Sequence, residues 1–453
     1  MGDGEPNELP RVLSLKDATM LVVSSVIGVG IFFTPGGVAK NLPSAGWFFA
    51  AWIAGGLLAL AGALANAELG AMFPRAGGNY VFLTAAYHPI AGFLVGWLSF
   101  FAAFAGTVAT LAFGVADSLG SFVTLGPTEK VLVAILVVWL TTGVNAYATR
   151  AGAFLNTSTA YLKIAVLVLL CVLGPIIGHA NAAKGPFTGG GEVSLSAFGA
   201  AMSPVIFSYL GWNASTYVAG EIKEPGKNLP RSLFIGLGVC TAIYFFVMWT
   251  YVYALGMNGL AATAAKDAVP GGFQLGGVLF GAKGGMVISG VLLLSVFGSL
   301  NANVLVGPRI AYAMAADGLF PRAVAKLSER ARTPWVAIVA QAGAATALVI
   351  AFGRPSSGGE VPLYRVLDYT TFAIVLATIA DTIALYVLRM RDPDRERPYR
   401  AAGYPIVPLV YIVANVGVAI AMLVRTPVEC FTSLAVLATG IPVYLVFARR
   451  RAA

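Results

Sequence analysis

The residues of this chain able to do chemistry are few, and what they offer is recognition rather than bond making. Its two histidines, His88 and His179, stand too far apart for an HExxH helix. No GxSxG elbow occurs. Cys171, Cys240 and Cys430 lie in separate apolar segments, which points to neither a disulfide framework nor a zinc site. No catalytic constellation, metal site or other cofactor is indicated, so an enzyme is not expected. What remains is backbone chemistry. Gly28-Val29-Gly30-Ile31-Phe32 interrupts one apolar run, and Phe207-Ser208-Tyr209-Leu210-Gly211-Trp212-Asn213 weakens the centre of another. A glycine inside a helix costs about 1 kcal/mol relative to alanine. Close helix packing accounts for one such site taken alone. Paired interruptions at corresponding places in two halves point instead to a secondary transporter site. Unwound backbone at membrane depth is tolerated only where it lines a cavity. The N–H groups at a half-helix start suit a carboxylate, and the freed carbonyls suit an ammonium. An amino acid zwitterion carries both.

A few charged side chains fall inside apolar segments. Lys163 stands in Asn156-Thr157-Ser158-Thr159-Ala160-Tyr161-Leu162-Lys163-Ile164, with an apolar run after it. A lysine near the bilayer centre costs from about 3 to more than 10 kcal/mol. Snorkelling to the nearer surface is one way to relieve that cost; an internal partner is the other. Asp368 and Asp381 share a later apolar segment and are functional candidates by position. Glu68 reads as a structural contact at a span end, and Asp117 as a group near the outer surface. The basic stretches Arg322 to Arg332 and Arg389 to Arg400 read as solvated faces that fix topology.

These groups must be positioned by membrane helices. Of 453 residues, 58% are apolar and 11% charged, and the mean hydropathy is +0.82. Soluble domains run near a quarter charged, so an ordinary globular enzyme is excluded. A spanning helix needs about 20 apolar residues. Apolar runs predict twelve spans, near 15–41, 45–72, 88–119, 129–148, 152–178, 195–222, 233–256, 284–316, 334–352, 363–388, 404–425 and 428–448. With the N-terminus inside, 20 of the 29 lysines and arginines fall on the inner side and eight on the outer, with Lys163 within a span. The positive-inside rule thus places both termini in the cytoplasm of a multi-pass inner (plasma) membrane protein. The net charge of +9 reports this topology rather than a nucleic-acid partner. Met1 to Pro10 is acidic and polar and has no signal-peptide character.

Several motifs together carry a resemblance. They are Gly28 to Phe32, Ala67-Glu68-Leu69-Gly70, Pro74-Arg75-Ala76-Gly77-Gly78-Asn79-Tyr80, and Phe207 to Asn213. Glu221 to Pro230, Arg309 to Gly318, Arg391 to Pro398 and Thr439 to Tyr444 follow in order. The chain resembles the amino acid–polyamine–organocation superfamily and, within it, bacterial relatives of the L-type amino acid transporters. The resemblance implies one transporter domain over 1–453. Two inverted five-helix repeats, 15–178 and 195–388, would each begin with a broken helix, and 404–448 would add two helices. It also implies alternating access.

For the site, the resemblance implies that the substrate carboxylate meets N–H groups around Gly28, Val29 and Gly30. The ammonium would meet carbonyls of Val26 or Ile27 and of Phe207, Ser208 and Leu210, and Phe207 would be the aromatic gate. Asn213 matches a position that holds a carboxylate in some relatives handling cations. An amide there favours neutral substrates, although capping of the second half-helix is an equal reading. Lys163 would replace the cation of sodium-coupled relatives, tying spans 1, 5 and 8 through a carbonyl near Gly28 and a hydroxyl of Ser295 or Ser299. The expected activity is sodium-independent transport of small or medium neutral L-amino acids by exchange, with proton-coupled symport as the alternative. A channel would need a continuous polar lining that the spans lack. Eukaryotic L-type transporters join a heavy chain through a cysteine between spans 3 and 4. Ser121 to Thr128 has none, so no disulfide-linked heavy chain is expected, and the partners are the amino acid and the lipid bilayer.

Overall fold

The computed structural model describes residues 9–177, 193–265, 269–353 and 362–452. His179 lies outside the described residues, and so does the side chain of Asp368. In chain order the helices are α1 (Leu15–Val26), α2 (Gly30–Phe33), α3 (Pro35–Asn41), α4 (Ala45–Met72), α5 (Asn79–Ala86), α6 (Pro89–Leu98) and α7 (Ala105–Leu119). They continue with α8 (Pro127–Tyr147), α9 (Thr149–Ile177), α10 (Leu195–Tyr209), α11 (Ala214–Tyr217), α12 (Pro225–Ala262) and α13 (Gly271–Phe280). The last are α14 (Gly284–Val306), α15 (Pro308–Ala316), α16 (Trp335–Phe352), α17 (Pro362–Arg391), α18 (Ile406–Arg425) and α19 (Pro427–Ala452). Among the described residues there is no strand, only an isolated parallel bridge between Leu13 and Ile222.

Eleven helical segments among the described residues are long and apolar enough to cross a membrane. The expected span 195–222 is not among them, because its break leaves one apolar helix of intermediate length, Ala197–Tyr209, and a short α11. Other boundaries differ for local reasons. A π-helical turn at Ser99–Phe104 joins α6 to α7. α12 starts eight residues before its apolar run because Pro225 occupies the first turn, where its missing N–H costs nothing. α12 bends at Gly256, whose φ of 66° is not helical.

α1 begins with a capping box. Asp17 N–H donates to Ser14 Oγ at 3.3 Å, and Ser14 N–H donates to Asp17 Oδ2 at 3.0 Å. α1 packs on α9, α12 and α14, and α4 packs along α12. The side chains between them form the largest apolar cluster, including Trp52, Tyr209 and Tyr244.

Buried ion pairs join the elements at one end. Arg309 and Glu221 are both fully buried, with Nε–Oε1 at 2.7 Å and Nη2–Oε2 at 3.0 Å, and Arg309 also donates to Thr149 Oγ1 at 3.2 Å. The Glu221 carbonyl accepts from Leu13 N–H at 2.8 Å. Glu68 is buried and accepts from Arg389 Nε at 3.0 Å, Arg389 Nη2 at 2.6 Å and Ala401 N–H at 2.7 Å, with Arg397 Nε at 3.2 Å. Arg391 donates to the carbonyls of Ala85 and Ala86 at 2.6 and 3.1 Å. The stretch Arg389 to Arg400 is therefore not the solvated face expected from its charge. Three of its five arginines, Arg389, Arg391 and Arg397, latch the end of α17 and the segment after it to α4 and α5.

Removing one partner of a buried pair leaves an uncompensated charge, which costs about 3–5 kcal/mol. Glu221→Gln and Arg309→Met should each lower stability by roughly that amount, while Thr149→Val should cost about 1 kcal/mol. Thermal unfolding of the purified variants in one detergent checks the order.

Candidate functional site

The two breaks face each other. α1 ends at Val26, and Ile27 leaves helical geometry with ψ at 87°. Helix resumes at Gly30 after Gly28 and Val29. In the second break Leu210 is extended with ψ at 149°, and Gly211 has φ at 95°. A Cβ on Gly211 would lie 2.9 Å from the Ser25 carbonyl oxygen, so both its conformation and its contact require glycine. A Cβ on Gly30 would lie 2.9 Å from Ser208 Cα. Each break thus places a glycine against a serine of the other, and the backbones approach where side chains would keep them apart.

A cavity of about 100 Å³ opens at this junction. Its wall includes Val26, Gly28, Val29, Gly30, Phe207, Ser208 and Leu210 from the breaks, with Ser25, Thr107, Thr110, Ser299 and Asn303 from elsewhere. A smaller one of about 40 Å³ shares Ser25, Thr107, Gly211, Asn303 and Ile374 with it and adds Ser99, Asn213 and Tyr217. The π turn supplies Ser99, Ala103 and Phe104 to this lower wall. Among the described residues neither cavity is lined by a charged side chain.

The structure sorts the expected site residues. The N–H groups of Val29 and Gly30 have no hydrogen-bond acceptor among the described residues, whereas Gly28 N–H donates to the Val26 carbonyl at 2.9 Å. The freed carbonyls are largely engaged. Tyr244 Oη lies 2.9 Å from the Val26 oxygen and 2.7 Å from the Ser208 oxygen, so one phenol proton serves both breaks. The Phe207 carbonyl accepts from Leu210 N–H at 3.1 Å. Ile27 does not line either cavity, and its carbonyl points away to Lys163 and Ser299. Phe207 is half-buried beside the cavity and packs against the cluster around Val29 and Val296. Asn213 makes no cap bond to α11. It lines the lower cavity only, where Nδ2 donates to Tyr217 Oη at 3.3 Å.

Lys163 does not snorkel. It is 1% exposed, and Nζ donates to the Ile27 carbonyl at 2.6 Å, the Ser24 carbonyl at 3.1 Å and Ser299 Oγ at 3.1 Å. Ser299 Oγ lies 2.7 Å from the Ser24 carbonyl and 3.0 Å from that of Ser295. Of the two serines considered for this contact, Ser299 makes it. Ser295 Oγ is buried without a partner among the described residues. The ammonium therefore joins α9, the end of α1 and α14 directly behind the cavity wall. Tyr244 and Ser24 were not candidates from sequence. A tyrosine in an apolar run carries no local sign of a polar partner.

Three charge-assisted bonds at about 1.5–3 kcal/mol each offset the burial of the ammonium. Lys163→Met should lower stability by about 2–4 kcal/mol, since it strands two carbonyls and a hydroxyl. Amino acid exchange should fall more than equilibrium binding, because Nζ is not in the cavity wall. Affinity and exchange rate measured on one preparation check this. An unchanged exchange rate would make Lys163 a passive anchor.

Comparison with known proteins agrees with this architecture. The amino acid permease family profile matches residues 13–447. The serine/threonine exchanger SteT of Bacillus subtilis is 30% identical over 451 residues, covering 99% of each chain. The mouse large neutral amino acids transporter small subunit 2 is 28% identical, covering 96% of this chain and 81% of its own. The mouse Asc-type amino acid transporter 1 is 26% identical, with the same coverage of 96% and 81%. The chain is thus a multi-pass amino acid transporter and no enzyme, and it belongs to the amino acid permease family of the amino acid–polyamine–organocation superfamily, among the bacterial relatives of the L-type transporters.

Proposed function

We propose that the chain exchanges small neutral L-amino acids across the inner membrane, without sodium, by alternating access. The observation that carries this reading is the uncharged cavity between the two breaks, where the N–H groups of Val29 and Gly30 are unpaired. A carboxylate there satisfies two donors at the start of α2. The ammonium turns to the remaining lone pairs of the Phe207, Ser208 and Leu210 carbonyls, each carbonyl having two; the Val26 oxygen already accepts from Gly28 N–H and Tyr244 Oη. With no carboxylate in the wall, a cationic side chain has no counter-charge. The cavity volume of about 100 Å³ and the lining by Thr107, Thr110 and Asn303 favour a small substrate. The similarity to SteT, a serine/threonine exchanger, supports the same reading.

In this reading 15–178 and 195–388 are the inverted halves, and 404–448 is an accessory pair, within one domain over 1–453. Phe207 is the gate over the substrate. Lys163 is a resident cation in the place where other transporters hold sodium, which is the physical reason for sodium independence. Both termini lie in the cytoplasm on the excess of basic residues at that side. Proton-coupled symport is the second reading, and the buried ionisable groups of the spans keep it in view.

A ligand at 100 times its dissociation constant adds about 2.7 kcal/mol of stability. Alanine, serine or threonine should raise the melting temperature in sodium-free buffer, and arginine or a polyamine should not. The reverse pattern would falsify the neutral assignment. Counterflow under imposed sodium and proton gradients separates exchange from symport.

Ser121 to Thr128 offers no thiol for a covalent partner, and Cys171, Cys240 and Cys430 lie within membrane helices and form no disulfide among the described residues. The purified single chain should therefore transport when reconstituted alone. Vesicles that stay inactive until a second protein is added would overturn this.

A further inference from the structure

The transport reading leaves one group without a role. Asp381 lies in the second half of α17, fully buried, and neither carboxyl oxygen has a hydrogen-bond partner among the described residues. Its neighbours on the helix are turned to backbone: Thr378 Oγ1 donates to the Val375 carbonyl at 3.1 Å, and Thr382 Oγ1 to the Thr378 carbonyl at 2.9 Å. α4 packs against α17, and on it Asn66 is also fully buried with both amide atoms unpartnered. Asn66 sits one turn after Gly62, against which Tyr411 and Trp212 pack.

The ionisable groups facing Asp381 are phenols, namely Tyr217 of α11, Tyr411 of α18 and Tyr87 just beyond α5. α5 adds Tyr80, whose hydroxyl is bonded to Asp317. α4 adds Glu68, engaged by Arg389 from the end of α17 and by Arg397 from the segment after it. α16 and the π turn carry no ionisable residue, α7 carries only Asp117, and those of α19 gather towards its two ends. No cationic side chain among the described residues pairs with Asp381.

An ionised carboxylate here has neither a counter-charge nor a donor, which is the state that burial in a membrane penalises most. The neutral acid needs neither. Tyr217 connects the group to the substrate path: it lines the lower cavity, and its oxygen accepts from Asn213, so its own proton is directed elsewhere. We propose that Asp381 is a proton-binding site of the transport cycle, holding a proton in this conformer and releasing it to cavity water past Tyr217 when α11 moves. The step is a single proton transfer from the carboxyl oxygen to water, and its reversal restores the acid. The proton is released and rebound within each cycle, so exchange depends on pH while the exchanged amino acids balance. The inference rests on the transport reading for the cycle, but not for the protonation.

Two measurements test it. The infrared difference spectrum of wild type minus Asp381→Asn at neutral pH should show the carbonyl stretch of a protonated carboxylic acid, shifted by deuterium. Its absence overturns the proposal. In proteoliposomes, wild-type exchange should fall with rising pH, by about tenfold per unit once the carboxyl ionises in the hydrated conformer. Asp381→Asn, which cannot release a proton, should exchange more slowly than wild type and show no slope over the same range, and Asp381→Glu should keep a slope. A wild-type slope retained by Asp381→Asn also overturns the proposal, whatever the band shows. A wild-type chain that moves no amino acid refutes the transport reading instead, and the infrared band then decides the protonation alone.

Discussion

Backbone polar groups set free inside a membrane must find partners within the protein, and the two breaks of this chain are built around that constraint. The Ser24 and Ile27 carbonyls turn to Lys163 and Ser299. Those of Val26 and Ser208 share the Tyr244 hydroxyl. What these side chains leave unserved is the pair of N–H groups at Val29 and Gly30. The cavity is thus the part of the breaks that the protein does not fill for itself. In the function proposed above, recognition there is the completion of a hydrogen-bond set, which is how a site with no charged wall would hold a zwitterion.

The same constraint separates two kinds of residue. Lys163 and Tyr244 hold the breaks open from behind and contribute no charged or polar atom to the cavity wall. Thr107, Thr110, Asn303 and Phe207 stand in or beside the wall, and their side chains make no hydrogen bond to the backbone of the breaks. On the proposed function, substitutions of the second kind are free to change which side chain the cavity admits while the breaks persist. Substitutions of the first kind act on the frame.

How far the sequence revealed this depends on what a feature rests on. Where one apolar run is one helix, hydropathy is enough, and the run 45–72 coincides with α4. Composition says little about a change of helical type, so the π turn at Ser99–Phe104 was not legible, nor was α13 ahead of the apolar run of α14. The location of the breaks was legible because glycine is diagnostic; Gly211 is the only residue type that suits both its φ and its contact with Ser25. Ser295 and Ser299 stand one turn apart on the same helix face, and only the level at which α1 ends selects Ser299. Tyr244 was invisible because its partners are backbone atoms more than thirty residues away in sequence. Asp381 was visible as a charge in an apolar run, but its lack of partners is a tertiary fact.

The ion pairs at the basic end follow from magnitudes. Arg309, Glu221 and Thr149 connect α15, the segment after α11 and the first residue of α9, and the Arg309–Glu221 pair is fully buried. Arg75 and Asp317 meet at 2.8 Å between the α4–α5 segment and the end of α15, with side chains 59% and 24% exposed. Breaking a buried pair costs several kcal/mol, whereas an exposed one contributes about 0–1 kcal/mol. In the proposed alternating-access cycle, a rearrangement opening this end would part Arg75 from Asp317, which also accepts from Tyr80 Oη at 2.8 Å, at less cost than parting Arg309 from Glu221. On that cycle the buried pair would move as a unit, and the exposed pair would mark where one unit separates from the next.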